Sequence, residues 1–239
     1  MNPLPRAAGA ELMDQPGQDR HQLAVSLADL REVNRWLGGY RVVLHHLSDL
    51  VTRHPRDRYR ILDVATGSGD IPLRIAGWAA ERGIDVEIVA TDNHATTLEL
   101  ARRHLAAEPR IRAAFADALR LPFADEEFDV ALISTALHHF DQERDCLRVL
   151  RELHRVSRIG FVVNDLARSR TALAGARLLA ATVWRRHPVT RHDGPLSVRR
   201  SFTAAELRTL AARAGFANGR VHAHFPFRVA LVVEKEQGG

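Results

Sequence analysis

The chain has 239 residues, is 46% hydrophobic and 6% aromatic, and carries a formal net charge of +5. That length suits one α/β domain with an insertion, and no apolar run approaches the ~20 residues of a membrane span. Lys235 is the only lysine among 34 basic residues. The arginines are spread over every predicted helix without clustered aromatics, a skew that reads as codon bias and argues against a nucleic-acid partner. With Cys146 the only cysteine, no internal disulfide forms, and a cytoplasmic location is expected.

In chain order, residues 1–20 hold Pro, Gly, Gln and charges with no apolar centre, and are expected to be a disordered tail rather than a secretory signal. Residues 21–239 are read as one domain. Helices are predicted at 26–35 and 38–53, then strands near 60–65, 86–91, 111–115, 128–134 and 159–165 alternate with helices at 70–82, 94–107 and 142–156. Such alternation implies βαβ units and a parallel sheet. Ser169–Trp184 breaks it as an inserted Ala/Leu-rich helix, followed by an irregular loop through His187-Pro188 and Asp193-Gly194-Pro195; together 169–200 reads as a lid. Thr203 and Glu206 fit a capping box opening a helix that ends at Gly215. Val221 to Glu234 supplies two strands joined near Pro226.

The most informative run is Arg60-Ile-Leu-Asp-Val-Ala-Thr-Gly-Ser-Gly-Asp-Ile-Pro72. A strand breaks at a glycine turn and passes into a helix, so the backbone approaches a ligand closely and free N–H groups face the crevice. Asp63 in the strand end argues against a phosphate and for a cationic or hydroxyl-bearing ligand. Asp92 ends the next strand about 20 residues beyond the turn, where an acid can bond both ribose hydroxyls. Asp117-Ala118 ends the third strand, and the fourth runs through Ser134 into Thr135-Ala-Leu-His-His-Phe140.

Over residues 30–233 these motifs resemble the class I S-adenosylmethionine-dependent methyltransferases, especially the quinone and small-molecule branch. The resemblance implies a Rossmann-like fold: a seven-stranded, mostly parallel sheet with one antiparallel strand, helices on both faces, N-terminal helices and a lid after the fifth strand. It implies S-adenosyl-L-methionine as cofactor, with Asp63, Ala65, Thr66, Gly67 and Gly69 at the methionine end, Asp92 and Asn93 at the ribose, and Asp117 and Ala118 at the adenine. Ser134 and Arg41 join that set, Arg41 from the Asn34–Arg41 stretch that looks like the helix folding over the cofactor. The sequence departs from the family's pattern at Ala65, where the first loop glycine is expected.

His138 and His139, after the fourth strand, are the candidate general bases for a phenolic acceptor. If that segment is helical, the two side chains diverge and only one is expected to face the pocket. Asn164, Asp165 and Trp184 are candidate substrate contacts, and Arg191, Arg199 and Arg200 offer charge for an acidic substrate group. His187, His192 and Asp193 match no compact ligand spacing, so no metal is expected. The fourth-strand exit lacks the Asn/Asp-Pro-Pro-Tyr/Phe run of base and glutamine methylation, and Cys146 lies within a helix. The reading is therefore O-methylation of a phenolic, quinone or polyketide-like small molecule. The alternatives are C-methylation of a similar ring or a cofactor-binding regulator without catalysis.

Overall fold

Side-chain alternation along the strands decides the layering. In β1 (Arg58–Val64), Leu62 and Val64 face one side of the sheet, and Tyr59 and Ile61 face the other. The same split recurs in β4 (Phe128–Ser134), with Ala131 and Ile133 opposite Val130 and Leu132. In β7 (Arg228–Glu234), Leu231 and Val233 oppose Val232. A sheet apolar on both faces needs helices on both.

The computed structural model describes residues 4–15 and 17–235. The remaining strands are β2 (Asp85–Asp92), β3 (Ile111–Phe115), β5 (Ser157–Leu166) and β6 (Arg220–His224). Their order is β3-β2-β1-β4-β5-β7-β6, with β7 antiparallel to both its neighbours and the β1–β5 pairings parallel. This is the expected seven-stranded, mostly parallel sheet. One face is covered by α5 (Glu143–Val156) and α8 (Ala204–Ala214). Helix α5 buries Cys146, Val149, Leu150 and Leu153 at the three-and-four spacing of an amphipathic helix. The capping box of Thr203 and Glu206 opens α8, and Gly215 closes it at φ 103°. The other face carries α2 (Gly39–Arg53), α3 (Asp70–Glu81) and α4 (Ala95–Leu105).

Strand order reverses between β1 and β4, and the crevice at their carboxyl ends is where open α/β sheets bind ligands. That rim gathers residues 63–69, 92–94, 116–118 and 134–140.

Three local expectations are corrected. Helix α1 (Arg20–Trp36) begins at Arg20 rather than near residue 26, because the Asp19 side chain accepts the Gln22 N–H at 2.9 Å and caps it. The expected irregular loop around His187–Pro195 is helix α7 (Pro188–Arg200), which follows α6 (Arg170–Ala181). Pro188 sits in the first turn of α7, where no amide donor is required. Finally, residues 4–15 of the expected disordered tail pack across the sheet rim. The Ala7 amide donates to the Arg199 carbonyl at 2.9 Å, and Asp193 accepts the Leu12 and Met13 amides at 2.8 and 3.0 Å. These partners lie far away in sequence, so composition gave no sign of them. Residues 1–3 and 16 of that stretch lie outside the described residues.

Candidate active site

Two cavities meet at the carboxyl rim. The first, about 450 Å³, is a cleft lined by the β1–α3 turn, the end of β2 and the exit of β4, including Asp63, Ala65, Thr66, Gly67, Asp92, Asn93, Ala118 and Ser134. Gly67 (φ 56°) turns its amide onto Asp92, whose Oδ2 accepts it at 3.0 Å while Oδ1 accepts the His94 amide at 2.9 Å. Burial pushes the Asp92 carboxyl up, against the pull of these His94 and Gly67 donors. Asp63 is buried and its Oδ2 has no hydrogen-bond partner. Burial pushes its carboxyl up to about 8; Thr66 opposes the shift, and Asp70 and Asp92 add to it. An orphaned, reluctant carboxylate of this kind is completed by a cation.

The second cavity, about 310 Å³, is walled mainly by apolar side chains: Val33, Leu37, Leu166, Leu179, Trp184 and Phe227 among them. Trp184 can lie there because position 194 is glycine: a Cβ on Gly194 would meet the indole at 2.6 Å. Met13, Leu30, Thr135 and His139 border both cavities, so the two spaces join at these four residues.

The histidine pair sits in a short 3-10 turn, Leu137–His139, with ring centroids 4.5 Å apart. Both rings border the apolar cavity, which corrects the expectation that only one would. His138 is fully enclosed. Its Nδ1 lies 2.7 Å from Asp165 Oδ1 and its Nε2 lies 3.4 Å from Glu11 Oε1. Burial works against its charge, but Asp165 and Glu11 outweigh it and lift the imidazole to about 10. Held between two carboxylates, His138 favours the charged imidazolium, which makes it the weaker of the two candidates for general base. The same contact holds Asp165 below the usual carboxylate range despite its burial. Glu11, also buried, is brought down to about 2 by His139 and His138. His139 is more open, its Nδ1 2.6 Å from Asp14 Oδ2 and its Nε2 3.8 Å from Glu11 Oε2.

The methyltransferase domain family model matches residues 61–160, from β1 into β5. The demethylmenaquinone methyltransferase of Lysinibacillus sphaericus is 31% identical over 120 residues, 50% of this chain and 49% of that protein. The ubiquinone/menaquinone biosynthesis C-methyltransferase of Rickettsia prowazekii is 32% identical over 118 residues, 47% of this chain and 46% of that protein. The chain thus spans about half the length of the curated relatives it matches. In fold it is similar to a SAM-dependent methyltransferase from Aquifex aeolicus, with a TM-score of 0.62 and 15% identity, covering 91% of this chain and 98% of that one. Residues 61–160 thus match a methyltransferase domain, and the chain as a whole shares the fold of a SAM-dependent methyltransferase.

The cleft fits S-adenosylmethionine on its own chemistry: a buried carboxylate at Asp63, with its Oδ2 unpartnered, suits the ligand's positive charges. The free lone pairs of Asp92 suit ribose hydroxyls. Several expected contacts fall elsewhere. Gly69 turns the chain against Leu105, which a Cβ there would meet at 2.9 Å. Asp117 caps its own turn by accepting the Leu119 amide. Arg41 donates to the Phe225 carbonyl at the β6–β7 turn. None of the three borders the cleft. Of the substrate candidates, Trp184 borders the apolar cavity, whereas Asn164 donates to Ser134 and Asp165 holds His138 behind the wall. Arg200 is buried, donating to the His138 and His139 carbonyls, so it supports the turn instead of meeting an acidic substrate.

Sequence reasoning missed Glu11, Met13, Asp14, Leu30 and Thr135. The Glu-Leu-Met-Asp run at 11–14, a patch of apolar and acidic residues inside a Pro/Gly-rich stretch, was the available signal. Also missed was the buried Arg228, which donates to Thr135 Oγ1 at 2.7 Å and to Asn34 Oδ1 at 2.9 Å. Asn34 in turn donates to Asp70, so α1, α3, β7 and the exit of β4 are tied together at the cleft. Donor atoms of Glu11, His138 and His139 lie within 4.8 Å of one another. The His138 imidazolium and Arg200, 3.9 Å from Glu11 Oε1, already bring positive charge into that space. The histidines set aside as ligands, His187 at the start of α7 and His192 within it, are bonded instead to Asp29 and to Asp193.

Proposed function

We propose that the protein transfers a methyl group to a small apolar acceptor, the hydroxyl of a phenolic, quinol or polyketide-like ring, seated in the 310 Å³ cavity. The observation that carries this is the junction of the polar cleft with the apolar cavity at Leu30, Thr135 and His139. When bound, S-adenosylmethionine supplies a methyl already activated on a sulfonium, so the chain's task is alignment and handling of the acceptor's proton. Leu30 and Trp184, which both line the cavity, orient the ring. His139 takes the hydroxyl proton on Nε2 while Asp14 holds its Nδ1–H, and the buried imidazolium of His138 fixes the turn. We place this reaction in the cytoplasm, in keeping with the lone, buried Cys146.

Methylation at a ring carbon is the second reading, favoured by the name of the Rickettsia prowazekii relative, a C-methyltransferase. One experiment separates the readings. S-adenosylhomocysteine release is measured across a panel of phenols and quinols, and NMR of each product locates the new methyl on oxygen or carbon. Tight cofactor binding with no turnover on any ring would instead favour a non-catalytic, regulatory protein.

A further inference from the structure

The lid carries a surface that methyl transfer does not use. Helix α6 turns Ala172, Leu173, Ala176 and Ala180 inward. Arg170, Ala174, Arg177, Leu178 and Ala181 recur at helical spacing on the opposite, exposed face. The turn that follows adds exposed Val183, Arg185 and Arg186, and Arg191 follows on α7. Leu178 is 64% exposed and Val183 63%. Two apolar side chains so displayed among arginines are not an ordinary solvated face.

The charge is equally one-sided. From Leu166 to His192 the sequence has six arginines and no aspartate or glutamate. Arg168 is buried against Glu206. The other five are exposed, and among the described residues none is paired with a carboxylate. Elsewhere on the surface Arg20, Arg103, Arg155 and Arg213 face acidic partners. Exposed arginines without one among the described residues, such as Arg102, Arg112, Arg148 and Arg208, are spread over separate elements rather than gathered in one acid-free segment. Leu178 also borders the apolar cavity, so this surface lies at the cavity's edge.

We propose that the outer face of α6 and the turn after it dock the protein on an anionic lipid surface. Leu178 and Val183 enter the interface, and Arg170, Arg177, Arg185, Arg186 and Arg191 meet headgroup phosphates. This rests on the reading of the cavity as an acceptor site, and it makes the acceptor a lipophilic ring that passes from the bilayer into the cavity beneath Leu178. A basic, apolar-studded helix matches a negatively charged membrane in both charge and hydrophobicity.

Flotation of the full chain with vesicles tests it, without cofactor or acceptor. Vesicles of phosphatidylcholine mixed with phosphatidylglycerol should carry the protein, vesicles of phosphatidylcholine alone should not, and high salt should release it. The double variants Leu178→Glu/Val183→Glu and Arg185→Gln/Arg186→Gln should each partition about tenfold more weakly or worse. Phe115→Glu, an equally exposed apolar site on the far edge strand β3, should bind as wild type. Calorimetry of S-adenosylhomocysteine binding shows that the variants remain folded, since none of these residues borders the cleft. Failure of the wild type to float with anionic vesicles, or equal flotation of all variants, overturns the proposal. So does retention on heparin without flotation, which would assign the arginines to an acidic polymer. Turnover of a water-soluble phenol in the absence of vesicles tests the acceptor reading separately.

Discussion

Asp165 holds His138 twice: its Oδ1 lies 2.7 Å from the imidazole Nδ1, and its Oδ2 accepts the His138 amide at 3.1 Å. Both residues are fully buried, so the pair fixes the 3-10 turn that points His139 at the junction of the cavities. Removing one partner of a buried pair leaves an uncompensated charge and typically costs about 3–5 kcal/mol. Asp165→Ala should lower unfolding stability by about that amount in urea titrations at pH 7. The sign with pH follows from a histidine raised to about 10. Its contribution is full below pH ~6.5 and fades as pH rises through about 10. The gap between wild type and variant should therefore hold at neutral pH and narrow towards pH 10. A gap below about 1 kcal/mol at pH 7 would show that the pair fixes the turn without net stabilisation.

Asp63 offers a proton count. In the free protein its carboxyl is pushed up to about 8, so it is protonated at pH 6.5, and this group makes the free fold less stable as pH rises from ~4 to about 8. A cationic ligand stabilises the ionised form, so cofactor binding should release close to one proton at pH 6.5. Calorimetry in buffers of different ionisation enthalpy reads that release. Asp63→Asn should bind more weakly and with no proton change; release that persists in the variant would place the titrating group elsewhere.

Asp92 should matter for affinity in two ways, by accepting ribose hydroxyls and by bonding the Gly67 and His94 amides that shape the turn. A hydrogen bond to a charged group contributes about 1.5–3 kcal/mol. Asp92→Ala is expected to weaken S-adenosylhomocysteine binding at least about tenfold. Unchanged affinity in a titration would remove Asp92 from the site.

His139→Ala should lower kcat about a hundredfold or more while cofactor affinity stays near wild type, because a positioned base contributes roughly 10²–10⁴ in rate. With a phenolic acceptor the defect should shrink as pH approaches the phenol's own pKa, where the nucleophile ionises unaided. A variant with wild-type kcat at neutral pH would leave catalysis to alignment alone.

Ala65 stands in the left-handed region at φ 54°, a conformation glycine adopts without the Cβ clash. Ala65→Gly should therefore raise stability by about 1 kcal/mol, or roughly 2–4 °C in Tm for a chain of this size. Calorimetric melting decides it, and a lower Tm would mean that the surrounding structure favours the alanine.

The parallel strands, the capping box of α8 and the glycine turn after β1 were legible in the sequence because each depends on local periods and local backbone chemistry. Their position at strand ends was legible for Asp63 and Asp92 on the same grounds: strand ends in a βαβ fold fall on one rim. What the sequence alone could not fix was anything requiring partners distant along the chain. Glu11 reads as part of a polar tail until folding brings it beside His138 and Arg200, and the α7 stretch reads as loop until it packs over α1 and the segment at 4–15. The roles of the two histidines were likewise undecided by their adjacent positions. Asp165, 27 residues further along, charges one imidazole, and the meeting of two cavities exposes the other. Burial and pairing set the protonation of a side chain, and only the tertiary structure supplies either.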